Sequence, residues 1–318
     1  MKILIAAPPI NFDLAKIKQK IAKNFKSDEF FYLDSALSDQ QLEQIEVLVG
    51  NDQQILEKIL ALPNSHLRWV QALSAGIDYL PLKKLQQSHI LLTTLKGLHA
   101  EPIAETILGM ILSSYRGIVN SARHQSWQKP PRKSHLIKNK RVVIFGTGHI
   151  GSRTAELLQA FGAQVSGVNH NGHPAANFLQ TVSTQDSLQL AADAQIIINT
   201  MPLTSATKDY FNAGFFKHLT KQPLFISIGR GPSTNTADLI TALKKQQLSA
   251  AALDVTDPEP LPADNPLWQM GNVLISPHIS GIYSEYTMEA IELFHTNLQY
   301  FHQDGTVAIN QVDFNKGY

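Results

Sequence analysis

Short apolar runs alternate with amphipathic stretches along most of the chain. Lys2–Ala6 (KILIA), Glu46–Gly50 (EVLVG) and Arg68–Ala72 (RWVQA) read as strands, and Phe12–Phe25 and Asp52–Leu62 carry helical spacing between them. A long helical stretch follows from Ile103 to His124, with Glu101 and Glu105 near its start and Arg116 and Arg123 further along. The polar, proline-containing segment Trp127–His135 is the clearest shift in composition. A second series then begins. Its strands are Arg141–Phe145, Gln164–Val168, Gln195–Asn199, Leu224–Ile228, Ala251–Val255 and Val273–Ser276. Strands that alternate with helices predict parallel sheets covered by helices, and this second series has the pattern of a doubly wound α/β domain. The last helix, Ser284 to about Phe301, has no strand after it and is expected to cross back to the first domain.

The 318 residues fit two domains of ordinary size, and 43% hydrophobic content is enough for two cores. Lys plus Arg is 27 against 26 for Asp plus Glu, a net charge of +1. This balance argues against a nucleic-acid binder and against attraction to an anionic membrane. The absence of cysteine excludes disulfides, thiolate catalysis and Cys-ligated zinc. The apolar opening run stops at Pro8-Pro9 and Asp13, too soon for a signal peptide, and no run is long enough to span a bilayer. A cytoplasmic protein is expected.

Three segments carry candidate chemistry. The first is Gly146-Thr147-Gly148-His149-Ile150-Gly151, a G-x-G-x-x-G directly after a strand and opening a helix whose Ile150, Thr154, Leu158 and Phe161 share one face. Gly146 permits the tight turn, Gly148 lets a pyrophosphate approach the backbone, and Gly151 lets helix and strand pack closely. The helix N-terminus offers unpaired N–H groups to the anion. Such a loop alone is a weak signal, since an ordinary tight turn has the same glycines, but its βαβ context makes it specific.

The second candidate is the end of the following strand, where a carboxylate would take the ribose hydroxyls of NAD. Here the chain reads Val168-Asn169-His170-Asn171, with no acid. A carboxylate would repel the 2′-phosphate of NADP, whereas amide, imidazole and backbone donors can hold it. NADP is therefore favoured over NAD. His170 and His173 have a competing reading as solvated loop histidines.

The third candidate is a spaced set: Arg230 between Gly229 and Gly231, Glu259 among prolines, and His278 after Pro277. Each follows an apolar strand, and in an open α/β sheet those strand ends line the ligand crevice. Singly they read as a loop cation, a turn residue and a core histidine. Together, behind a dinucleotide loop, they read as a reaction centre.

With these residues the chain resembles the NAD(P)-dependent D-isomer specific 2-hydroxyacid dehydrogenases, glyoxylate/hydroxypyruvate reductases among them, over almost its whole length. The resemblance rests on Ser74-Ala-Gly76-Ile-Asp78, Ala104-Glu105, the Gly146–Gly151 loop, Met201-Pro-Leu-Thr204, Gly229-Arg-Gly231, Ala252-Leu-Asp254-Val255, Glu259-Pro-Leu-Pro262 and Pro277-His278. It implies two doubly wound parallel-sheet domains. A Rossmann-type cofactor domain (101–284) is inserted in a discontinuous flavodoxin-like catalytic domain (1–100 plus 285–318), with the active site in the cleft between them and a homodimer as the assembly.

The resemblance also implies site residues. Arg230, Glu259 and His278 would be catalytic, and Arg230 with the backbone amides of Ala75 and Gly76 would hold the substrate carboxylate. Gly76 also reads as a plain turn. Beside the glycine loop and Asn169-His170-Asn171, the cofactor would touch Met201, Pro202, Thr204, Thr207, Ile228, Gly229, Asp254, His278 and Gly281. Thr204 and Asp254 have competing roles as caps of local turns. Trp268 reads as core packing, with closure of the pocket as its alternative. Two departures from the family pattern stand out: Asn169 where NAD users carry an acid, and Ser280 where Ala or Gly is common.

Reduction of a 2-oxo acid needs a hydride donor, a proton donor and an anchor for the carboxylate. His278 suits proton donation, Glu259 would orient its ring, and Arg230 offers a planar cationic fork. A non-catalytic NAD(H)-sensing protein on the same fold is the alternative, though it would have no need of the three residues. A formate dehydrogenase would carry Gln at Glu259. No metal is expected, and neither H-E-x-x-H nor G-x-S-x-G occurs. The partner is a small 2-oxo or 2-hydroxy acid whose side chain the sequence does not specify.

Overall fold

The computed structural model describes residues 1–6, 13–25, 27–33, 37–50, 52–77, 79–123, 127 and 134–314. Asp78, His124, most of the Trp127–His135 segment and the expected start of the first helix at Phe12 lie outside the described residues. The chain divides into two compact units, Met1–His99 with Ile282–Tyr318, and Ala100–Gly281.

The first unit contains β1 (Lys2–Ala6), α1 (Leu14–Asn24), β2 (Glu29–Tyr32), α2 (Asp39–Glu43), β3 (Val47–Gly50), α3 (Gln53–Ala61), β4 (Trp69–Gln71), α4 (Leu82–Gln87) and β5 (Leu91–Thr93). Asp13 and Asp52 start α1 and α3 by accepting the N–H groups of Lys16 and Ile55, the usual capping of orphan donors. The five strands are parallel in the order β2-β1-β3-β4-β5, the flavodoxin-like arrangement. Strands β2 and β5 were not expected. The first is a half-buried edge strand starting at an exposed Glu29, and the second is only three residues long. Neither gives a pattern long enough to stand out.

The last helix, Tyr286–Asp304, packs in this same unit. Its Phe294 and Phe301 lie against the buried indole of Trp69, with ring centroids 5.4 and 5.2 Å apart. Buried Asn297 accepts the N–H groups of Ala308 and Ile309 and so turns the chain back after the helix.

The second unit opens with α5 (Ala100–Tyr115) and α6 (Ile118–Arg123). The sequence predicts one continuous helix here. The break falls at Arg116-Gly117, where Gly117 has φ of +69° and reverses the helical hand. Then come β6 (Arg141–Phe145), α7 (His149–Ala160), β7 (Gln164–Asn169), β8 (Thr181–Ser183), α8 (Ser187–Ala192), β9 (Ile196–Asn199), α9 (Ala213–Lys217), β10 (Leu224–Ser227), α10 (Thr236–Lys244), β11 (Ala250–Leu253) and β12 (Val273–Ile275). All seven strands are parallel in the order β12-β11-β10-β9-β6-β7-β8. The sequence predicts six; short β8 (TVS) is the addition. The order reverses between β6 and β9, the switch point at which such sheets bind ligands.

Phe145, Asn199, Ser227, Leu253 and Ile275 are paired in sequence across the sheet and form its last rung. Every candidate residue of this unit on β6, β9, β10, β11 and β12 lies just beyond that rung. The helix face of α7 holds buried Thr154 and Leu158 as expected, whereas Phe161 caps the helix and is 44% exposed.

Candidate active site

The glycine loop leaves β6 and becomes the first turn of α7. A Cβ on Gly151 would stand 1.9 Å from the Gly146 carbonyl oxygen, so only glycine lets α7 pack against the loop. A Cβ on Gly148 would meet nothing within 4 Å, so the approach to the loop backbone there is open. The cradle therefore fits a dinucleotide pyrophosphate, with close packing on one side and free backbone on the other. Arg153 of α7 forms a two-pronged pair with Glu101 at the start of α5, at 2.6 and 2.9 Å, and a third bond to Glu156 at 2.9 Å. This pair ties α7 to the start of α5 and holds the Glu101 carboxyl below its ordinary range.

At the end of β7, Asn169 is held by its own surroundings. Its Nδ2 donates to Thr147 Oγ1 at 3.1 Å and to the His173 carbonyl at 2.9 Å. His173 Nδ1 pairs with Asn171 Oδ1 at 2.6 Å. A shallow depression beside β7 and β8 is lined by His170, Asn171, Gly172, Ser183, Thr184 and Asp186. The Asp186 carboxylate accepts from Ser183 Oγ at 2.7 Å. The loop after β9 is closed by threonines. Thr207 Oγ1 donates to the Pro202 carbonyl at 2.7 Å and accepts the Thr204 N–H at 2.7 Å. The Thr207 hydroxyl thus holds the turn, and Thr204 enters it through its backbone N–H. Met201, Ile228 and Gly229 are buried, and His149, Pro202 and His170 are exposed.

The spaced set stands beyond β10, β11 and β12. Glu259 Oε2 lies 3.0 Å from His278 Nδ1, and Glu259 Oε1 accepts the Thr256 N–H at 2.9 Å. Both side chains are partly exposed, which leaves the other ring nitrogen accessible. The core reading of His278 is thereby excluded. Its backbone φ of +53° is held by the turn 276–280. Asp254, 2% exposed, organises that turn: Oδ1 accepts from Ser276 Oγ at 2.5 Å and Ile279 N–H at 3.1 Å, and Oδ2 from Ser280 N–H at 3.1 Å. Asp254 thus caps the turn that carries His278 rather than one after its own strand. Arg230, half-buried, donates from Nη1 to the Gly229 carbonyl at 2.9 Å. A Cβ on Gly231 would stand 1.7 Å from the Thr256 carbonyl oxygen, so the Arg230 loop rests directly on the segment that positions Glu259.

One expectation changes. Trp268 does not pack in the core; it is 45% exposed and its Nε1 donates to the Pro262 carbonyl at 3.0 Å, closing the loop after Glu259. Ala75 and Gly76 lie in the first unit, after β4, where Ser74 Oγ donates to the Gly76 carbonyl at 2.7 Å and bonds the Tyr79 hydroxyl at 2.8 Å. Sequence reasoning missed Asn199 and Ser233. The signal for the first was present: it is a polar residue closing an otherwise apolar strand, IIIN. Among the described residues no group of three His, Asp or Glu is placed to hold a metal, and no helix is long and apolar enough to cross a membrane.

Residues 108–280, more than half of the chain, match the model for the NAD binding domain of the D-isomer specific 2-hydroxyacid dehydrogenases. The chain belongs to this family. A glyoxylate reductase/hydroxypyruvate reductase of Mus musculus is 32% identical over 70% of each chain. A D-isomer specific 2-hydroxyacid dehydrogenase family protein from Aeromonas salmonicida is 28% identical, with a TM-score of 0.85 over 98% of this chain and 99% of that one. A phosphoglycerate dehydrogenase from Lactobacillus plantarum is 39% identical, covering 98% and 100%, with a TM-score of 0.58. The second unit is thus the nicotinamide dinucleotide-binding domain of a 2-hydroxyacid dehydrogenase, and the switch point at β6 and β9 is where that cofactor fits.

Proposed function

We propose that the protein reduces a 2-oxo acid to the D-2-hydroxy acid, or runs the reverse reaction, with NADP in preference to NAD. The observation that carries this reading is the Glu259–His278 pair, 3.0 Å apart, with the far carboxylate oxygen fixed by the Thr256 N–H. A carboxylate only accepts, so His278 Nδ1 carries a hydrogen and Nε2 is the nitrogen that exchanges a proton with substrate. In reduction the imidazolium gives that proton to the carbonyl oxygen; in oxidation the neutral ring takes it from the hydroxyl. Arg230 binds the substrate carboxylate with its planar fork and stabilises charge developing on the carbonyl oxygen. When bound, the nicotinamide supplies or accepts the hydride. The resemblance also assigns contacts with the substrate carboxylate to the backbone amides of Ala75 and Gly76 in the first unit.

The preference for NADP rests on the end of β7. No carboxylate closes that strand, and Asn169 uses both amide hydrogens on Thr147 and His173. His170 and the neighbouring backbone are left to face a 2′-phosphate. The homodimer implied by the resemblance belongs to the same reading, and sedimentation checks it.

The test is a panel of 2-oxo acids, from glyoxylate and hydroxypyruvate to branched and aromatic members, assayed with NADPH and NADH. Turnover of at least one acid is expected, and it should be lost in His278→Asn while cofactor affinity is kept. Tight cofactor binding with no turnover of any acid would favour the sensing protein instead.

A further inference from the structure

Strands β9 and β10 are apolar up to their last residues, Asn199 and Ser227, which are paired in register and buried at 0% and 1% exposure. The sheet does not need the Asn199 side chain, because backbone groups already complete the ladder. Its bonds go to the neighbouring strand end and to two loops. Nδ2 donates to Ser227 Oγ at 3.1 Å and to Ser233 Oγ at 2.7 Å, and Oδ1 accepts the Met201 N–H at 3.1 Å. Ser233, itself 0% exposed, passes its hydroxyl hydrogen to the Arg230 carbonyl at 2.6 Å and donates its N–H to the same oxygen at 3.1 Å. Buried polar groups persist only when they are bonded, so this network fixes one geometry for the loop.

We infer that Asn199 and Ser233 are positioning residues for Arg230: a buried Asn199–Ser233–Arg230 relay sets the backbone from which the guanidinium reaches the substrate carboxylate. This rests on the reading of Arg230 as the carboxylate anchor. The relay has an internal control. Ser227 Oγ accepts from the same carboxamide and is equally buried, yet it has no bond to Arg230. Removing either hydroxyl orphans one Asn199 hydrogen, but only Ser233 carries the second link.

The test compares Ser233→Ala and Ser227→Ala in the full chain by kcat and KM for a 2-oxo acid, by cofactor Kd, and by Tm. Both variants should lower Tm, Ser233→Ala by more because it loses two bonds, and leave cofactor Kd unchanged. Ser233→Ala should lose about 10–100-fold in kcat/KM, mainly as a raised KM for the acid, the scale of a small misplacement of a binding group. Ser227→Ala should stay near wild type. In an Arg230→Lys background, Ser233→Ala should cost less than in wild type, because linked residues are not additive. Equal losses in the two serine variants, or no loss in either, overturn the relay. If Arg230→Ala itself keeps wild-type kcat/KM, the anchor reading fails and the relay falls with it.

Discussion

The glycine loop allows stability and cofactor binding to be separated by two substitutions three residues apart. Gly148 has φ −76° and ψ −162°, an extended conformation open to any residue. Alanine there meets no protein atom within 4 Å. Gly148→Ala should therefore leave the apo protein as stable as wild type, or more so by about 0.4–1 kcal/mol through the unfolded chain. The new methyl occupies the path of the pyrophosphate. Overpacking of that kind costs about 1–3 kcal/mol, which corresponds to roughly a 5–150-fold rise in cofactor Kd. Gly151→Ala reverses the pattern. Its Cβ would lie 1.9 Å from the Gly146 carbonyl oxygen, more than 1 Å inside the 3.0 Å that real Cβ atoms keep. The backbone must move, at about 1–3 kcal/mol, or roughly 2–12 °C in Tm for a unit of this size. The assay is thermal unfolding of the apo protein beside cofactor titration by fluorescence. Wild-type Kd in Gly148→Ala would refute the placement of the pyrophosphate, and unchanged apo Tm in Gly151→Ala would refute the packing argument.

Arg230→Ala should abolish detectable turnover of a 2-oxo acid, while cofactor Kd changes little; steady-state kinetics check the first and titration the second. His278→Asn should cut reduction by about 10²–10⁴-fold, the usual worth of general acid catalysis, and an unchanged rate would remove it from the mechanism. The ratio of kcat/KM with NADPH to that with NADH should exceed one; a strong NADH preference sinks the reading of Asn169. Burial pushes the Tyr115 phenol above its ordinary 10.0. The unfolded chain releases that proton near pH 10 while the folded chain keeps it, so stability is full below pH 10 and falls above it. Tyr115→Phe should flatten that fall in Tm measured between about pH 9 and pH 11, apart from a constant loss of the bond to the Gln195 carbonyl.

The second unit was more legible in the sequence than the first. Its central strands carry three or four apolar residues in a row, because both faces are covered by helices, and such runs are conspicuous. Edge strands β2 and β8 bury only one side and are short, so their pattern fades into the loops. The kink between α5 and α6 depends on one glycine that helical periodicity tolerates without comment. Arg230, Glu259 and His278 were readable as residues following strands, and the Glu259–His278 contact followed from chemistry. The partners of Asp254 were not readable. Two of the three are backbone N–H groups of a turn more than twenty residues away, which carry no residue-type signal, and the third is the Ser276 hydroxyl of the same turn.

Register explains why the candidate residues of the second unit collect where they do. Phe145, Asn199, Ser227, Leu253 and Ile275 end one row of the sheet, so whatever follows each strand emerges at the same height. The chain uses this row in two ways. Apolar Phe145, Leu253 and Ile275 close the core, while Asn199 and Ser227 begin the polar network above it. One residue higher, Asp254 grips the turn bearing His278, and Gly231 rests on Thr256, whose N–H holds Glu259. Arg230, Glu259 and His278 are therefore not three independent loop residues but three outlets of one rigid rung. A substitution that shifts the rung should move all three together. Leu253→Ala, which leaves every polar contact in place but opens a cavity under Asp254, should cost about 2–5 kcal/mol of stability. If it also lowers kcat with little change in cofactor Kd, the rung carries the geometry; if kcat is untouched once the protein is folded, the loops hold themselves.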